Sequence, residues 1–217
     1  MTATEAPTAM ADREAIRDII ENWVIRRDGG QWDALLRLFH DDGIMSSTWK
    51  QSSAKDFVAG ARSNWNRGVF GQHSVGGTAI DLGGETAPDR AVAQTRMTIG
   101  RRARLHGVLV DVTCVGRFYD FLERRSARWG IVMRQPIYES DRMDAVVPGE
   151  IPSLDRARLA GFPDGFRHLA YLQAELGVAV NTAMPGRVGP EIDALYARGA
   201  AWLAGMPGHP ADSDFGR

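Results

Sequence analysis

The sequence predicts an α+β domain in which helices pack on one face of a strongly curved antiparallel sheet. Three observations predict it. The chain opens on two amphipathic helix patterns, and a third follows a single short strand candidate. The middle is a run of long alternating segments rich in Val and aromatic residues, separated by turn signals. Helices grouped ahead of consecutive strands, instead of alternating with them, read as α+β.

The elements follow in order. Over residues 12–27, Ile16, Ile19, Ile20, Trp23 and Val24 fall at i, i+3, i+4 spacings with charged residues between them. Asp12 is a candidate N-cap, and Gly29 and Gly30 can end the helix. A short helix over 31–39 carries Trp32, Leu35, Leu36 and Phe39, and residues 40–43 form a turn. Residues 44–49 fit a strand, and 53–68 a third helix with Phe57, Val58, Ala61 and Trp65 on one side. Strands are expected at 73–82, 91–101, 104–122 and 128–139, with Gly83-Gly84 and Pro88-Asp89 at one turn and the charged run 123–128 at another. From Val147, prolines punctuate two helical patterns, 165–178 and 189–204. Fewer than 60 residues bury too little core to stand alone, so 147–205 reads as a helical extension of the domain at 12–146. It is expected to cover the sheet's mouth or a subunit interface. Residues 1–11 and 206–217 read as disordered tails.

Composition narrows the function. Lys and Arg number 26 and Asp and Glu 27, and this near-neutral balance argues against a non-specific nucleic-acid binder. Cys114 is the only cysteine, so no intrachain disulfide can form, which fits a reducing compartment. No apolar run reaches the roughly 20 residues of a membrane helix, and the start has no basic segment ahead of an apolar one. The expectation is a soluble cytoplasmic protein without membrane partners. No strand–GxGxxG–helix context offers a nucleotide site: Gly76-Gly77 and Gly83-Gly84 read as turn glycines. His40 has no second ligand cluster that would make a metal site, and Asp41-Asp42 reads as a solvated turn. No cofactor is expected.

The chemistry-bearing candidates are few. His73 can take a proton near neutral pH; the alternative is a histidine capping a strand or filling a gap. Arg134 lies among Ile131, Val132 and Met133 on a strand, where a guanidinium is costly unless paired. It either binds an anionic group or bridges an acid, and Arg96 poses the same choice. Tyr138, Tyr119, Trp49 and Trp65 are candidates to line an aromatic-binding pocket, against the alternative that they fill the core. His106 follows Arg101, Arg102 and Arg104 and belongs to an exposed turn. Cys114, inside a strand, reads as an inert buried thiol.

Three segments carry a resemblance. Residues 27–45, RDGGQWDALLRLFHDDGIM, place an Asp ahead of a W-D-x-L-x-x-x-F-x-x-D pattern. Residues 71–82, GQHSVGGTAIDL, resemble a helix-to-strand junction that carries a His. Residues 116–139, GRFYDFLERRSARWGIVMRQPIYE, resemble a closing hairpin. In this order they are similar to the SnoaL-like, nuclear-transport-factor-two-like superfamily across roughly residues 12–145. The resemblance implies a cone-shaped α+β barrel closed by the N-terminal helices. The Asp and His resemble the dyad of the scytalone dehydratase and hexachlorocyclohexane dehydrochlorinase branch, whose members are cofactor-free lyases. By position Asp28 matches the dyad Asp, His73 the dyad His, and Arg134 the pocket Arg of the last strand. Scytalone dehydratase also has a second pocket His and water-orienting tyrosines; His106 is the one candidate for that His, and the tyrosines have no secure match.

The resemblance implies a lyase in which Asp28 orients His73 as general base toward a small hydrophobic or aromatic substrate that loses water, halide or a carbonyl fragment. Formaldehyde release from a lignin-derived diaryl-propanediol is one form of the last. The alternatives are an isomerase or cyclase using the same base, and a non-catalytic binding subunit. A homo-oligomer is expected, and the dyad branch implies a trimer.

Overall fold

A computed structural model describes residues 7–212 of the 217. Helix α1 spans Pro7–Asp28 and α2 Trp32–Leu36. Strand β1 is Phe39–Ser46, β2 is Gln51–Ser53, and α3 is Ala54–Asn66. Four long strands follow: β3 Gln72–Leu82, β4 Arg90–Leu105, β5 Val108–Arg125 and β6 Arg128–Ala145. The C-terminal segment holds α4 Arg156–Ala160, a 3-10 turn at Asp164–Phe166, α5 Arg167–Glu175 and α6 Pro190–Leu203.

The six strands form one sheet in the order β2-β1-β6-β5-β4-β3, curved but not closed, with β2 and β3 at its edges. The expectation of a wholly antiparallel sheet is corrected at one place: β1 runs parallel to β6 while every other pair is antiparallel. Curvature comes from bulges. In the β5–β6 pair the register shifts between Val115 and Gly116 and again between Phe121 and Leu122, and one extra residue bends the bulged strand. Gly116 is required there, since a Cβ at that position would lie 2.0 Å from the Ile137 carbonyl oxygen. Gly76-Gly77, expected in a turn, instead lie inside β3, where its pairing with β4 shifts between Val75 and Thr78.

Both faces of the sheet are covered. On the inner face α1 and α3 place Ile16, Ile20, Trp23 and Phe57 against Phe118 and Leu122. Helix α5 joins this core through Leu169, Ala170 and Leu172. On the outer face α6 packs Ile192, Leu195 and Trp202 onto Val92, Tyr119 and Phe121. Each large apolar side chain so buried contributes about 1.5–3 kcal/mol, and α6 sits close because Gly199 faces Tyr119, whose hydroxyl would be 1.8 Å from a Cβ there. The C-terminal segment therefore has two roles, closing the inner face with α5 and backing the outer one with α6. Helix α1 begins at Pro7, so residues 7–11 of the expected tail are helical. Residues 206–212 of the expected C-terminal tail are also placed, with Arg90 donating to the Met206 carbonyl and Ala211 packed against the outer core; residues 1–6 and 213–217 lie outside the described residues. Among the described residues no helix is long and apolar enough to cross a membrane.

Candidate active site

Asp28 is the last residue of α1, where an acid works against the helix macrodipole by roughly 0.3–1 kcal/mol. Its local partners lie across the chain. The carboxylate accepts the backbone N–H of His73 through Oδ2. Its Oδ1 lies 2.8 Å from His73 Nδ1. His73 enters from the start of β3, paired with Ile99 of β4, and its ring stands edge-on to Trp23 with centroids 5.4 Å apart. Because a carboxylate can only accept, Nδ1 carries the proton of the neutral ring and Nε2 keeps its lone pair. Burial pushes the His73 imidazole below the usual histidine value; the Asp28 hydrogen bond pulls it back up, and the Arg27 charge lowers it again.

His73 forms part of the wall of a partly open cavity of about 90 Å³ between α1, α3, α5 and the sheet. Trp23, Trp49, Phe57 and Phe118 give it apolar walls, and Trp49 stacks on Phe57 with centroids 6.1 Å apart. Thr48, Tyr138 and Gln173 give it a polar patch: Gln173 Nε2 donates to Thr48 Oγ1 at 2.8 Å, while its Oε1 is buried without a hydrogen-bond partner. On the other side of His73 a wider surface groove of about 630 Å³ shares Gly71, His73 and Gly100 with the cavity.

Of the residues singled out from sequence, Asp28, His73, Trp49 and Tyr138 meet at this place. Trp65 lines the outer groove instead, wedged between Trp32 and Phe70. Three lie elsewhere. Arg134 is fully buried behind the cavity wall, where its Nε and Nη2 bond both oxygens of Asp120 at 2.6 and 2.8 Å. Its guanidinium sits over the rings of Trp23 and Phe118 at 4.6 and 4.4 Å, so of its two expected roles the structure displays the ion pair. Tyr119 faces the opposite side of the sheet, under α6. Arg96 is exposed beside Gly76 and Glu139, away from the cavity. His106 occupies the β4–β5 turn with φ 49°, 2.7 Å from the Ser153 carbonyl and 2.8 Å from Glu175. His40 packs under Gly130 and bonds the Glu123 carbonyl, and Cys114 is buried with its thiol pushed up by desolvation. Among the described residues no three His, Cys, Asp or Glu side chains are grouped to hold a metal ion.

Sequence reasoning passed over Arg27, Arg101 and Gln173, which all line the cavity. Arg27 precedes Asp28 on the helix turn that faces β3, which is a readable signal. Arg101 and Gln173 carry none, because only the folded sheet and the docked α5 bring them to this wall.

Residues 8–135 match the SnoaL-like domain. The chain belongs to the SnoaL-like family. Curated fungal relatives extend the likeness through the C-terminal helices. A PEP2-like protein of Fusarium vanettenii is 34% identical over 203 residues, 89% of this chain and 86% of its own. Pea pathogenicity protein 2 of the same species is 31% identical over 209 residues, 92% and 89% of the two chains. Among solved structures, a type 2 hexachlorocyclohexane dehydrochlorinase (LinA) superposes with a TM-score of 0.52 at 13% identity, covering 68% of this chain and 96% of its own. A candidate scytalone dehydratase from Novosphingobium aromaticivorans gives 0.51 at 14% identity over 69% and 97%. At these identities the structural likeness establishes the fold, and the SnoaL-like core leaves α5 and α6 as additions to it.

Proposed function

We propose that this SnoaL-like protein is a cofactor-independent lyase in which His73, oriented by Asp28, is the general base. The observation that carries the reading is the double engagement of Asp28. By accepting from both the backbone and the ring of His73 it fixes ring position and tautomer together, and the nitrogen left free belongs to a residue that lines a cavity with both apolar and polar walls. A depressed imidazole value keeps that nitrogen unprotonated at neutral pH.

In the reaction Nε2 removes a proton from a carbon of a small hydrophobic substrate. The C–H electron pair forms a C=C bond as halide, or hydroxide that takes up a proton to become water, leaves the adjacent carbon with its bonding pair; for a carbon–carbon lyase the proton comes from a hydroxyl, the O–H pair forms the C=O of the departing fragment, and the C–C pair stays on the other carbon, which takes up a proton. The imidazolium that forms is stabilised by Asp28 and returns its proton to solvent or to the leaving group. At about 90 Å³ the cavity is smaller than the roughly 150 Å³ apolar space that binds a benzene ring, so it takes only the reacting end, and the groove that shares His73 holds the remainder. The structural neighbours named for dehydrochlorination and dehydration support the reaction class.

The test is product identification. Wild-type protein incubated with a panel of β-hydroxy and β-halo compounds, aromatic and aliphatic, should give at least one product lighter by water or hydrogen halide, and His73→Ala should give none. Proton exchange into substrate without loss of a group would move the reading to an isomerase.

A further inference from the structure

Two guanidinium groups face the cavity beside His73, and neither is neutralised as Arg134 is. Arg27 touches one carboxylate, Asp28, at 3.4 Å, and that carboxylate is already engaged twice by His73. The Nε of Arg27 is enclosed without a hydrogen-bond partner. Arg101, half-buried on β4, has no ion pair among the described residues. The nearest acid on the neighbouring strand, Asp111, is held by Arg102 through two bonds of 2.7 Å. Burial disfavours both charges, and Arg27 raises the cost for Arg101. Two like charges at one wall, partly desolvated and short of acceptors, are unfavourable until an anion arrives.

The space between Arg27 and the base is kept open by a glycine. A Cβ at Gly71 would sit 3.6 Å from His73 Cε1 and 3.7 Å from both terminal nitrogens of Arg27, so ring and guanidinium flank a gap the breadth of one small group. The local charge sets the kind of anion. With His73 neutral, two arginines and Asp28 leave one net positive charge, which a single carboxylate balances and a dianion would overshoot.

We propose that the ligand of this cavity carries a carboxylate, received by Arg27 and Arg101 in the gap at Gly71, so that the proton His73 removes lies a few bonds from that group. The proposal rests on the reading of this cavity as the substrate site and adds the substrate class: small hydrophobic acids. The carboxylate supplies acceptors for the open Arg27 and Arg101 donors and sets the apolar end of the molecule against Trp49 and Phe57.

Calorimetry with benzoate and its neutral analogue benzamide tests it. Benzoate should bind wild-type protein about tenfold or more tightly than benzamide, as charge-assisted hydrogen bonds predict. The preference should vanish in Arg101→Gln and Arg27→Gln, persist in Arg101→Lys, and weaken in Gly71→Ala, whose added methyl fills the gap. Benzoate should also raise the titration midpoint of the His73 ring followed by NMR, because a bound anion favours the imidazolium. Equal binding of the two probes, no benzoate binding at millimolar concentration, or a preference untouched by both Gln variants would overturn the proposal. The base is judged separately: benzoate binding that survives in His73→Ala alongside full turnover by that variant would remove the lyase reading and leave the carboxylate site.

Discussion

Asp28 engages His73 with both oxygens, and the consequence is a titration that can be measured. Burial is the larger influence on His73 and lowers it; the Asp28 hydrogen bond opposes that. His73 should therefore titrate below the free-histidine value of about 6.5, and Asp28→Asn, which removes the opposing influence, should lower it further. NMR of the ring carbon resonances checks both. His40 is also depressed by burial. Each histidine binds its proton less readily folded than unfolded, so stability is fully present above about pH 6.5 and is lost as pH falls toward the folded values. Urea unfolding at about pH 7.5 and about pH 5.5 should show the lower stability at the lower pH. At this scale the Asp and His were legible from the residues around them, through the family likeness of those segments. The role of Arg134 was not: a lone Arg on an apolar strand reads alike whether it meets a ligand or an internal acid, and only the pairing of β5 with β6 reveals Asp120 opposite it.

At the scale of elements, the β5–β6 hairpin carries the site on two fixed features. Asp120 and Arg134 are register partners with no exposed side-chain surface. Asp120→Asn would leave a buried guanidinium uncompensated and should cost about 3–5 kcal/mol in urea unfolding; a loss under about 1 kcal/mol would mean that the pair is not desolvated. Gly116→Ala should also destabilise, because the intruding methyl meets backbone, which cannot rotate away. The long strands were readable from alternation, but their ends were not. The turns at His106-Gly107 and Ser126-Ala127 use positive φ, and only Gly107 among these four residues advertises it. The segment at Phe39 was read as the end of a helix because its apolar spacing suits one; pairing with Ile131 of β6 overrides that preference.

At the scale of the whole molecule, the order of helices and strands sufficed for an α+β fold with helices on a curved sheet, since that order leaves few ways to cover the sheet, while the cone shape was implied by the family resemblance. It did not reveal that the C-terminal segment divides between two faces, because α5 and α6 have similar apolar patterns and differ only in where the chain lets them dock. Assembly is a prediction at this scale. Exposed apolar residues such as Phe70 and Val115 remain on the surface, so light scattering at micromolar concentration should give a multiple of 23.8 kDa. A single species of 23.8 kDa would contradict it.

In the proposed mechanism one base, held by one carboxylate, removes the proton. This is tested most directly by turnover of wild-type, His73→Ala and Asp28→Asn protein on a substrate that the wild type consumes, with melting temperature measured alongside. His73→Ala should lose a factor of about 10²–10⁴ in kcat. Asp28→Asn should fall strongly as well, and both should melt close to wild type. Full activity in both variants would contradict it, and so would loss of folding in both, since Asp28 and His73 would then be a structural hydrogen bond.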